Sequence, residues 1–105
     1  MKRRIIINGC FLFLIMSCIC YAKESYIPKE GYAPDAKTAI KIAEAVLVPI
    51  YGKKTINCEK PLKAELIDGI WHVTGTMPKG FTLGGVATIE INKMDGKISN
   101  VIHGE

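Results

Sequence analysis

The sequence predicts an α+β domain in which one long amphipathic helix packs on a curved four-stranded antiparallel meander. Three observations lead there. Apolar residues from Ala36 to Ile50 recur at three- and four-residue spacing, Asp68-Gly69 separates two short alternating runs, and a second pair of runs, Val86 to Asn92 and Lys97 to His103, flanks Lys93-Met94-Asp95-Gly96. A helix with one apolar stripe and a sheet with one apolar face bury each other as two layers around a single core.

The first 22 residues read as an address. Lys2, Arg3 and Arg4 form a positive head, Ile5 to Cys20 is almost wholly apolar, and Cys20-Tyr21-Ala22 places small residues at the −3 and −1 positions of a signal-peptidase site. Two other readings stay open. Ile15-Met16-Ser17-Cys18 offers a lipidation candidate at Cys18, and Ile5 to Ala22 is near the lower limit for an uncleaved span. The expectation is an exported protein, periplasmic or anchored in the cell envelope through its N-terminus.

Removal of the leader leaves 83 of the 105 residues, enough for one small domain with a thin core. Loss of its three basic residues takes the formal net charge from +4 to +1. No arginine follows Arg4, which argues against nucleic acid as a partner, because phosphate recognition favours clustered bases and arginine forks. Cys58 is then the one thiol of the cleaved chain, expected as a small buried or half-buried side chain. Lipidation at Cys18 would instead keep both Cys20 and Cys58, and with them the option of a bridge.

Residues 23–33 lack periodicity and contain Pro28 and Gly31, so they read as a flexible linker ahead of a domain at 34–105. Asp35 is placed to cap the helix, accepting from the free amides of the first turn. Ala36, Ala39, Ile40, Ala43, Val46, Leu47 and Ile50 form the apolar stripe, Pro49 disturbs the last turn, and Gly52 supplies a stop. Lys53 to Lys60 is ambiguous between a helical turn and an irregular crossing.

Asp68-Gly69 signals a two-residue hairpin turn that pairs Ile67 with Ile70. Counting back puts Leu66 opposite Trp71 and Ala64 opposite Val73 on an apolar face, with Lys63, Glu65, His72, Thr74 and Thr76 on the other. A four-residue turn then pairs Ile91 with Ile98, which puts Ala87, Ile89, Ile91, Ile98 and Ile102 inward, with Asn100 intruding on that stripe.

Pro34-Asp35, Thr38-Ala39-Ile40-Lys41-Ile42-Ala43-Glu44-Ala45, Pro49-Ile50-Tyr51-Gly52, Lys60-Pro61, Gly69-Ile70-Trp71-His72-Val73-Thr74-Gly75 and Gly84-Gly85-Val86-Ala87-Thr88-Ile89-Glu90-Ile91 together resemble the small immunity proteins of bacterial polymorphic toxin systems. The resemblance runs from Pro34 to His103 and implies a nuclear transport factor 2-like, or cystatin-like, fold. It also implies a cognate toxin, of the Rhs-associated kind, as partner, and action by stoichiometric binding without catalysis or cofactor. Larger members carry several helices before the sheet, whereas one strong helix is visible here, so a homodimer that completes the fold is an open expectation.

The chemistry-bearing residues fit that reading. His72 with Glu65 would serve as an acid/base pair only in an enclosed site, and on an open sheet face it is a cross-strand polar pair. His103 sits two residues from the C-terminus, where fraying is expected, and a metal site from His72, His103 and Cys58 has no close spacing to support it. Trp71 reads as a core anchor, Gly84-Gly85 as a bulge or sharp start to the third strand, and Lys53-Lys54 as a solvated pair at a helix end. The predicted partner surface is the outer face of Lys63, Glu65, His72, Thr74 and Thr76 with Met77, Lys79, Phe81 and Leu83 of the following loop. The competing function is a periplasmic small-ligand-binding or protease-inhibitory module on the same architecture, which a pocket would favour.

Overall fold

Helix α1 spans Ala36–Tyr51 and begins where expected: Asp35 has an extended backbone, and its carboxylate accepts from Thr38 N at 2.8 Å. In the computed structural model, which describes residues 25–80 and 84–104, Ala39, Ala43 and Leu47 form the fully buried line of this helix, one every four residues. Two of the three are alanines, which lets the helix axis lie close to the sheet. Ile50, on the same stripe by spacing, is 54% exposed; in the last turn Tyr51 packs against the core instead.

The ambiguous segment is helical. Gly52, at φ +98°, ends α1 by donating its N–H to Val48 O at 2.8 Å, and α2 follows over Lys53–Cys58 with Ile56 fully buried. Cys58 is exposed, which corrects its expected burial. Two residues advance a helix by about 200°, so an inward Ile56 turns Cys58 outward.

The sheet has the order β1-β2-β3-β4, with strands Lys63–Ile67, Ile70–Thr74, Ala87–Asn92 and Ile98–His103, all neighbours antiparallel. Asp68 and Gly69 both take positive φ, 49° and 78°, as a two-residue turn between right-twisting strands requires. The register that the turn sets is the expected one: Ile67 with Ile70, Leu66 with Trp71, Ala64 with Val73. Val73, Ala87, Ile89 and Ile91 are buried against α1, and Trp71, 8% exposed, donates Nε1–H to the carbonyl of Ala33 at 2.8 Å.

Ala33 belongs to a short segment laid across the β3–β4 turn. Tyr32 N and Ala33 N donate to Met94 O and Lys93 O, each at 3.0 Å, and Lys93 Nζ reaches Glu30 O at 2.7 Å. Residues 31–33 thus carry no helix or strand, yet Ala33 lies in the core.

One inward expectation fails. Ile91 pairs with Ile98 and Glu90 with Ser99, but Thr88 pairs with Ile102 and Ala87 with His103, so β4 carries one residue more than β3 between these pairs. Asn100, at φ +50°, sits in this bulge, and its amide donates to Glu90 Oε1 at 2.9 Å. The extra residue reverses the alternation. Val101 packs against the core, and Ile102, expected inside, is 58% exposed.

Candidate functional site

The outer face of the sheet collects four of the predicted partner residues. Lys63 and Glu65 of β1 lie opposite Thr74 and His72 of β2, which in turn lie opposite Thr88 and Glu90 of β3. The ionisable contact of His72 is with Glu90, Nδ1 to Oε2 at 3.5 Å, and not with Glu65, so β3 supplies an acid that hairpin counting alone does not reach. Asn100 and Ile102 of β4 extend the face, where a shallow cleft of about 330 Å³ runs past His72, Thr88 and Glu90.

The remaining predicted residues lie beyond the strand end. Thr76 spends its hydroxyl on Pro61 O at 2.7 Å and its N–H on Glu59 O at 2.7 Å. Met77 is 38% exposed and Lys79 is exposed. Phe81 and Leu83 lie outside the described residues, as do the leader, its cleavage site after Ala22 and the lipidation candidate Cys18.

A second constellation, not foreseen as a unit, forms on the helix side of the sheet. Glu59, directly after α2, is 4% exposed and the one charged residue in the described core. Its Oε1 accepts from Ala87 N at 2.7 Å and its Oε2 faces His103 Nε2 at 2.6 Å. Glu59 therefore ties together the end of α2, the end of β2 through Thr76, the start of β3 and the end of β4. Gly75 is shaped by it, since a Cβ there would stand 2.7 Å from Glu59 Oε1 and 3.0 Å from Glu59 Cβ. No larger residue fits without a shift of a buried carboxylate.

His103, expected to fray, is held on three sides. Beyond the Glu59 contact, its Nδ1 lies 3.2 Å from Gly104 O and its ring centroid lies 5.1 Å from that of Tyr51 at a tilt of 51°. The bulge at Asn100 is what turns it inward, because His103 pairs with the buried Ala87. Sequence signals for the pair were present but faint: Ile56, Glu59 and Leu62 recur every three residues, and the outer two are buried, so Glu59 occupies an apolar register.

The pair borders a cavity of about 570 Å³. Lys54, Thr55 and Cys58 of α2 form one wall, Met77 and Pro78 another, and Gly84, Gly85 and Gly104 close it with backbone. Among the described residues, no group of three or more His, Cys, Asp or Glu side chains is placed to hold a metal ion, and every buried side-chain polar atom has a partner.

Comparison with known proteins follows the fold. The family model Imm-NTF2-2, described as NTF2 fold immunity protein, matches residues 38–105, a stretch that holds nearly all of α1, α2 and the whole sheet. The uncharacterized protein YhhH of Escherichia coli K12 is 32% identical over 85 residues, 81% of this chain and 67% of YhhH. The uncharacterized protein YbbC of the same organism is 31% identical over 86 residues, 79% of this chain and 70% of YbbC. No solved structure matches the chain.

Proposed function

Because the chain belongs to the NTF2 fold immunity protein family, we propose that it neutralises a cognate bacterial toxin by direct, stoichiometric binding. The family match over residues 38–105 is the observation that carries this reading. Binding blocks the toxin by covering its active or target-binding surface, and it asks of this chain a preformed face and no catalysis. The outer sheet face suits that task. Lys63, Glu65, His72, Thr74, Thr88 and Glu90 stand in register on one rigid surface, and such alternating charge favours fast, selective encounter with a complementary partner. Met77 and Lys79 follow the end of β2 and are exposed, and Phe81 and Leu83 come next in the sequence.

The leader-like sequence of the first 22 residues supports a place of action in the cell envelope. A positive head followed by an apolar run exports the chain, so the toxin is met in the envelope, either by a free periplasmic inhibitor cut after Ala22 or by one tethered through Cys18. The toxin of this reading is of the Rhs-associated kind. Co-expression with the toxin encoded beside this gene, in a strain lacking its own protection, tests the proposal. Restored growth together with a stable toxin complex on size exclusion is expected; toxicity undiminished by the folded, exported protein would overturn it.

A further inference from the structure

Among the described residues, the cavity beside Glu59 and His103 shares Met77 with the proposed toxin surface and none of the strand residues of the outer face. We propose that it is a binding site for a small amphipathic carboxylate, an acidic head on an apolar body of medium-chain fatty-acid size. Its volume, about 570 Å³, falls in the range of small-molecule sites. Met77, Pro78 and the backbone of Gly84 and Gly85 give it an apolar wall, which suits the hydrocarbon body.

The sign of the head group follows from which charges are accessible. The Glu59 side chain is 5% exposed and both of its oxygens already have partners, Ala87 N–H and His103, so it offers a cation almost nothing. The His103 side chain is 28% exposed, and Lys54 lines the same space from α2. An incoming acid therefore meets the Lys54 ammonium, with the buried Glu59 carboxylate already engaged by Ala87 N–H and His103. His103 keeps its contacts with Glu59 and Gly104 O throughout, so its ring holds the Glu59 carboxylate in place and the head group is left to Lys54.

Sodium octanoate tests the site directly. The full chain, as the cell processes it, is isotope-labelled and titrated with octanoate and separately with octanol, and amide chemical shifts are followed. Octanoate is expected to give saturable shifts at Cys58, Gly84, Gly85 and Gly104, with octanol about tenfold weaker because it lacks the charge. Lys54→Gln, a change at an exposed position, is expected to weaken octanoate about threefold and leave Tm unchanged. Shifts absent from these four amides, equal affinity for octanoate and octanol, or a Lys54→Gln protein that binds octanoate like the parent would each overturn the proposal. Protection against toxin is no readout here, so the immunity reading stands or falls separately.

Discussion

Glu59 shows how much one buried charge can organise. Its carboxylate receives Ala87 N–H and faces His103 Nε2, and its carbonyl receives Thr76 N–H, so removal of the side chain leaves a backbone amide without its acceptor and takes one contact from the imidazole in a low-dielectric setting. Glu59→Ala is expected to cost about 3 kcal/mol in urea unfolding, in the range for breaking a buried pair from one side. Glu59→Gln keeps an acceptor for Ala87 N–H and should cost clearly less, and a double-mutant cycle with His103→Gln isolates the coupling between the two. At the surface, Asp35 behaves differently. The Thr38 backbone N–H, which donates to its side chain, holds its carboxyl below the ordinary value of 3.8, with Lys37 and Lys41 adding smaller contributions in the same direction. A folded-state pKa that is depressed means stability present above the unfolded value and lost as pH falls through the folded one. The Tm gap between the parent and Asp35→Ala should therefore narrow as pH is taken from about 5 to below 3.8, a comparison that thermal melts at several pH values supply. Asp35 was legible in the sequence because a cap is a local signal. Glu59 and His103 were not, because 44 residues separate them and only the completed sheet brings them together.

Among the elements, what could be read depended on whether a local rule set the geometry. The β1–β2 register follows from two residues, Asp68 and Gly69, and every pair counted back from them is in place. The β3–β4 pairing starts correctly at Ile91 and Ile98 and then slips, since a bulge has no fixed spacing from its turn. Asn100 was nevertheless visible as a polar intruder on an apolar stripe, and the structure supplies its reason: it takes the positive φ that asparagine tolerates better than most residues. Asn100→Val is expected to destabilise the protein by about 1 to 2 kcal/mol, from left-handed strain and loss of the bond to Glu90, as read by chemical denaturation. Because the bulge turns His103 inward, the same variant should also move the His103 ring resonances, which simple loss of stability would not do below the unfolding transition. α2 illustrates the opposite limit. A six-residue helix with one buried side chain carries too little periodicity to be told from a loop, although it supplies one wall of the cavity.

Over the whole molecule, one sheet presents two surfaces of unlike chemistry, and β-strand alternation keeps them independent. Glu65 and His72 point to the outer side, whereas Ala87 and His103 belong to the helix side, where His103 lines the cavity. A charge reversal on one side should therefore be silent on the other. Glu65→Lys combined with His72→Ala is expected to reduce affinity for the toxin about tenfold, chiefly through slower association, while stability changes by less than about 0.5 kcal/mol because Glu65 is exposed and His72 makes only a long contact with Glu90. Octanoate binding in that variant should equal that of the parent. Lys54→Gln should show the reverse pattern, with weaker octanoate binding and full protection against toxin. Surface plasmon resonance against the purified toxin, run beside the octanoate titration, separates the cases. If Lys54→Gln impaired toxin binding and the outer-face pair did not, the contact surface would move to the cavity mouth around Met77 and Pro78, and the outer face would be left as ordinary solvated sheet.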